Sequence, residues 1–280
     1  MDMVQLDQFP SVAANARSTL VTSELIDSSV YAIALEMGGT TFNETHLDRL
    51  SIRLDGKSII DNITGTQMKT LNTYDGITAV TNFLFIWFSD PTARTIRGQH
   101  FGALDCSIYR APLEIEVDIG AATAPTLKLH AVKGPGKMEM GYFDAKEAAH
   151  FRHLRRTIVE PTAAVDRNSY RVSLGARPGA NVRKLGFFHT NLTKVELEKQ
   201  SIRKWDNVPI ALNSALAQQF ARSPQSGLYV LDRVVDGNQG EAERTVDANG
   251  KPWLISVNIS TSGSDTIPVF ADLHASYDMI

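Results

Sequence analysis

His150 and His153 stand three residues apart on a candidate connector helix, a spacing compatible with metal ligation. No glutamate follows His150 as in a zinc-protease motif, and no third ligand lies nearby in sequence. A solvent-exposed or interdomain polar role is the simpler reading. Asp236, Asn238 and Glu241 bring oxygen ligands close together in Asp236-Gly237-Asn238-Gln239-Gly240-Glu241, and calcium takes carboxylate and amide oxygens. The run lacks the spacing of an EF-hand loop, so it reads either as a structural calcium site or as an exposed turn. Cys106 is the single cysteine. It can form neither an internal disulfide nor a cysteine zinc site, and with no local base it reads as a small buried residue. Arg152, Arg155 and Arg156 form the densest basic cluster. Such a cluster suits acidic lipid headgroups or an acidic neighbouring surface; it equally suits a solvated helix face or ion pairs between domains. Gly38-Gly39-Thr40 lacks the downstream lysine of a phosphate loop, and Gly179 and Gly186 read as turn or strand glycines. These residues define no catalytic set and, calcium aside, no cofactor.

The elements that would carry these residues are mostly short strands. Tyr31-Ala32-Ile33-Ala34-Leu35, Leu50-Ser51-Ile52-Arg53-Leu54 and Leu113-Glu114-Ile115-Glu116-Val117-Asp118-Ile119 alternate apolar with polar or small residues. Tyr170-Arg171-Val172-Ser173-Leu174 and Ile255-Ser256-Val257-Asn258-Ile259 do the same in the second half. Period two is the mark of a half-buried antiparallel strand, and Gly, Pro, Asn and Asp clusters supply the turns between them. Asp247-Ala248-Asn249-Gly250 reads as one such hairpin turn. The run Phe83-Leu84-Phe85-Ile86-Trp87-Phe88 is too short to cross a bilayer as a helix and reads as a fully buried strand, with Trp87 in the core. Helical signals are few: residues 66–72, residues 144–156 in the connector, and residues 207–220. In the last, Pro209 fits the first turn, and Ile210, Leu212, Leu216 and Phe220 are expected to share much of one face.

The chain repeats itself. Tyr31–Leu35 matches Tyr170–Leu174, residues 47–52 match 192–197, residues 115–119 match 255–259, and Leu129-His130-Ala131 recurs as Leu273-His274-Ala275. Pro125 and Pro268 precede the two copies of that last strand. The equivalent placement of His130 and His274 points to packing, not to two active sites. The matches keep their order, so two homologous all-β domains are expected: residues 1–133 with an N-terminal arm, a connector over 134–156, and residues 157–280. Seven or eight strands in each half predict two tandem eight-stranded jelly rolls, with a few short helices in loops.

Composition narrows the function. Hydrophobic residues make up 43% and charged residues 21% of the chain, as in a folded globular protein. A net charge of -3, from 28 basic and 31 acidic residues, disfavours wrapping a genome on a basic surface, so no direct nucleic-acid contact is expected. The acidic start, Met1-Asp2-Met3, lacks the basic region of a signal peptide, and the absence of disulfides suits synthesis in a reducing cytoplasm. Linked barrels standing side by side would arrive at a surface already associated, a structural reason for duplication in a shell.

Several segments resemble the major coat protein of corticovirus-type bacteriophages, which are tailless and icosahedral with an internal membrane. They are Leu6-Asp7-Gln8-Phe9-Pro10-Ser11-Val12-Ala13-Ala14, Leu50-Ser51-Ile52-Arg53-Leu54-Asp55-Gly56-Lys57, Leu154-Arg155-Arg156, and the run from Glu196 to Trp205-Asp206. The loops over 90–99 and 236–251 depart from that pattern. The resemblance implies a double jelly roll of the lineage that includes adenovirus hexon, and a homotrimeric, pseudo-hexagonal capsomer over a membrane. The partners it implies are neighbouring capsomers, minor capsid or vertex proteins, and the viral membrane. The protein would reside in the virion.

Two other classes remain open from the residues alone. A carbohydrate- or receptor-binding sandwich would need exposed aromatics on one face, yet Trp87, Trp205 and Trp253 are spread through the chain. A two-domain cupin or copper oxygenase would need clustered histidines, commonly a His-x-His pair. None of the seven (46, 100, 130, 150, 153, 189, 274) forms one.

Overall fold

A computed structural model describes residues 2–91, 102–136, 153–161, 180–238, 241–247, 249, 251–253, 255–261 and 267–276. The chain divides into two units. One holds residues 1–73 and 77–156, with residue 280; the other holds 74–76 and 157–279.

The strands of the first unit are β1 (Asp2–Gln8), β2 (Ala16–Thr22), β3 (Ser28–Gly38), β4 (Leu47–Leu54), β5 (Lys57–Ile63), β6 (Phe83–Trp87), β7 (Leu104–Asp105), β8 (Leu113–Ile119) and β9 (Thr126–Pro135). One sheet runs β1-β9-β3-β6, with the short β7 also on β3; the other contains β5-β4-β8-β2. The longer strands thus split four and four between two antiparallel sheets, the arrangement of a jelly roll. Alternation puts Ile33 and Leu35 of β3 beside Ile86 and Leu84 of β6, and all four are buried. The facing sheet supplies Leu50 and Ile52 of β4 beside Val117 and Ile115 of β8, also buried. Interdigitation of these two inner faces makes the core. Helix α1 (Gly65–Tyr74) follows β5, and a one-turn helix α2 (Cys106–Tyr109) follows β7.

In the second unit, β11 (Asn181–Phe188) lies between β17 (Pro268–Ser276) and β14 (Leu228–Asp232), with the short β15 (Glu243–Arg244) also on β11. A separate sheet runs β13 (Ile202–Pro209), β12 (Leu192–Lys199), β16 (Ile255–Thr261). Helix α3 (Ile210–Gln219) joins β13 to β14, as α1 joins β5 to β6. At Gly186 the β11 backbone passes under its cross-strand partner Phe270. A Cβ there would run into the ring, so no other residue fits without displacing it.

The structure corrects several expectations. Residues 153–156 of the connector are strand, not helix: β10 runs His153–Pro161. Residues 144–152 lie outside the described residues, and so does Tyr170–Leu174. By sheet position the counterpart of β3 is β11, since each is paired on both sides by the corresponding strands. The matches of β4 with β12, β8 with β16 and β9 with β17 agree with sheet position. The run 83–88 is not buried on both faces: Leu84, Ile86 and Phe88 are buried, while Phe83, Phe85 and Trp87 are half-buried. Helix α3 turns Asn213 and Ala217 inward and leaves Leu212, Leu216 and Phe220 exposed. Pro209 is its N-cap, one residue before the helix begins.

Candidate functional site

Charge is placed differently in the two units. In the first, β8 alternates so that Glu114, Glu116 and Asp118 stand on the outer face of their sheet. Arg17 of β2 donates to Asp118 at 2.6 Å and 3.0 Å. Arg53 of β4 donates to Glu114 at 3.0 Å and Glu116 at 3.3 Å, and Arg49 stands 3.8 Å from Glu116. The Arg17 hydrogen bond holds the Asp118 carboxyl below the usual carboxylate range. On the other sheet, His130 Nε2 lies 2.6 Å from Glu36, and Lys128 donates to the same carboxylate at 3.2 Å. These contacts lower the Glu36 pKa, His130 contributing most. Such half-exposed ladders fix cross-strand register more than they add stability.

The second unit buries a cluster of charges. Lys184 of β11 pairs with Asp75 and stands 3.9 Å from Asp232 of β14; Arg222 reaches Asp75 at 3.6 Å and Asp232 at 3.5 Å. Tyr74 adds a hydroxyl 3.4 Å from Asp232, and its ring lies 5.7 Å from the lysine ammonium. Burial pushes the Asp232 carboxyl above its ordinary range, against the pull of Lys184 and Arg222. Beside them Arg183 donates to the fully buried Asp272 at 3.0 Å. Lys199 pairs with Glu243 and lies 3.4 Å from the centre of the Trp253 ring. Closed to solvent and charge-matched, the Lys184 cluster can anchor residues 74–76 within the unit but has no face for a substrate. Its sequence signal was available: Lys184, Asp232 and Asp272 each interrupt an apolar run, on three strands that prove to be neighbours.

Of the residues singled out from sequence, Asp236, Asn238 and Glu241 follow β14. Asp236 Oδ1 accepts from the Asn238 N–H at 2.9 Å, and the Glu241 N–H donates to the Asn238 carbonyl at 3.1 Å. Among the described residues no three His, Cys, Asp or Glu side chains converge on a metal position. Asp247 closes the adjacent turn, its Oδ1 accepting from the N–H groups of Asn249 and Lys251. Arg155 and Arg156 lie on β10; Arg152 and His150 lie outside the described residues. Cys106 is fully buried, and burial drives its thiol pKa up to about 12, the reverse of an activated nucleophile. His130 lies opposite Ala34 in mid-strand, whereas His274 is buried opposite Asn181 at the start of β11. The tryptophans make no common platform. Trp87 stacks on Phe85 in the first unit, Trp205 donates to the Tyr229 hydroxyl at 3.0 Å, and Trp253 meets Lys199. A depression of about 310 Å³ lies beside α1; in its lining Lys69 pairs with Glu44, and Asn72 donates to the Phe85 carbonyl at 2.7 Å.

Both halves of the chain match one family. Residues 3–134 match the N-terminal domain of viral coat protein P2, and residues 151–275 match its C-terminal domain. The chain belongs to the P2 family of viral coat proteins. It is therefore a structural virion protein and not an enzyme. Among solved structures, the P2 major capsid protein of bacteriophage PM2 shares the fold with a TM-score of 0.83 at 16% identity, over 99% of this chain and 97% of that one. The major capsid protein of Sulfolobus turreted icosahedral virus follows at 0.68 and 14% identity, over 99% and 98%. The VP54 capsid protein of PBCV-1 gives 0.61 and 10%, over 98% and 92%. No curated protein sequence matches the chain. At these identities the solved structures establish the double jelly-roll fold, while the coat function comes from the family itself.

Proposed function

We propose that this P2-family coat protein forms homotrimeric capsomers, each presenting six jelly rolls in a pseudo-hexagonal outline that tiles an icosahedral shell. The observation that carries this reading is the pair of family matches covering both halves of one chain: two like barrels per chain make three chains equivalent to a six-membered ring. The shell partners are neighbouring capsomers and minor or vertex proteins. The shell lies over a membrane, and the basic residues Arg152, Arg155 and Arg156 are the part of the connector, residues 134–156, with the charge to meet acidic headgroups. Co-flotation of the purified protein with anionic and with neutral vesicles tests the membrane clause. Binding to the anionic set that is lost when the three arginines become glutamine supports it; equal behaviour with both sets, or no loss, removes it.

A further inference from the structure

Helix α3 carries apolar side chains that the described residues leave partly exposed. Leu212 is 60%, Leu216 39% and Phe220 42% exposed, at successive four-residue steps that align them in one stripe. The helix is held firmly in that orientation. The Asn213 side chain donates to the Val230 carbonyl of β14 at 2.8 Å, and Ala217 packs beneath. Exchange of the buried pair for the exposed stripe would remove that bond, so the stripe is presented outward and not merely left over. The helix in the equivalent position, α1, buries its own apolar residues Met68 and Leu71.

We propose that the α3 stripe is a contact surface for a second copy of this chain, an inference that rests on the self-assembling coat-subunit reading. Charge argues against two other kinds of occupant. Residues 207–221 contain no Asp, Glu, Lys or Arg. Nucleic acid and anionic membrane surfaces are met by lysine and arginine, which this helix lacks. An uncharged apolar ridge suits the desolvated centre of a protein interface. Size then separates a lone partner from a repeated one. Three side chains fall far short of the roughly 800 Å² that each member of a stable pair commits. Such a contact holds only when several act at once between the same molecules, the situation of identical subunits in a shell. The neighbouring edge strand β13 is guarded against backbone pairing by Arg203, Lys204 and Asp206, and by register shifts along its pairing with β12. Side chains of α3, not the β13 backbone, therefore make the contact.

The test is self-association of the full chain, followed by light scattering across a concentration series. Leu216→Glu and Phe220→Glu, alone and together, are compared with the unchanged protein, with far-ultraviolet circular dichroism confirming the fold. The expected result is that assembly of the double variant requires about tenfold or more protein. A photo-crosslinking residue in place of Phe220 supplies a readout that needs no loss of stability. Crosslinked pairs of chains in the assembled protein are expected. If the unchanged chain assembles while the double variant assembles equally well and no crosslink between chains forms, the α3 assignment is overturned and the coat-subunit reading stands. If the unchanged chain never associates, it is the proposed self-assembling capsomer that fails.

Discussion

Helices α1 and α3 occupy the same place in the two jelly rolls, each leading from one sheet to the other, yet they treat apolar residues in opposite ways. Helix α1 turns Met68 and Leu71 into its unit, whereas α3 turns Asn213 and Ala217 in and holds Leu212 and Leu216 out. Charge shows a matching inversion. The first unit carries Arg17, Arg49 and Arg53 on a half-exposed face, and the second buries Lys184, Arg222 and Asp232. Both units have apolar cores, but the second also buries a cluster of paired charges and carries an exposed apolar stripe on its helix.

The largest expected effect comes from the buried cluster. Lys184→Met leaves Asp75 and Asp232 to share Arg222 and is expected to cost about 3–5 kcal/mol in urea unfolding. Arg53→Met in the first unit should cost about 0–1 kcal/mol, because solvent screens its pairs. Equal costs would break the contrast. Next come the helices. Leu71→Ala should cost about 2–5 kcal/mol, as deletion of a buried side chain does. Leu216→Ala should stay within about 0.5 kcal/mol in dilute, unassembled protein. A large loss at Leu216 there would mean that its stripe is covered within the chain.

Acid titration sharpens the comparison more gently. Glu36 has its pKa lowered by His130 and Lys128, so it contributes stability above the unfolded glutamate value of about 4.3. That contribution is lost as pH falls through the lowered value. Asp232 has its pKa raised, so its contribution has the opposite sign and is lost as pH rises. Melting temperature measured from neutral pH downward should fall less steeply in Glu36→Gln than in the unchanged chain. Parallel curves would show that the Glu36 contacts do not persist in solution.

Much of this architecture is legible in the sequence because period-two alternation is a local property. Residues 113–119 read as a strand and form β8 with those bounds, and the helix expected over 66–72 is the middle of α1. The same property explains one failure. Alternation says nothing about which strand is a neighbour, so Tyr31–Leu35 matched Tyr170–Leu174 while β11 holds the equivalent place. In β11 the buried Arg183 and Lys184 disguise the correspondence. Helical spacing has a similar limit. It showed that Leu212, Leu216 and Phe220 share a face of α3, but Asn213 and its bond to β14 decided which face turns inward. No local motif could reveal a functional site, since a coat protein works through extended surfaces assembled from many strands.

The most direct test of the central claim is the native mass of the purified chain by light scattering after size exclusion. A stable species of three times 30.8 kDa is expected. A monomer at every concentration and ionic strength would contradict it.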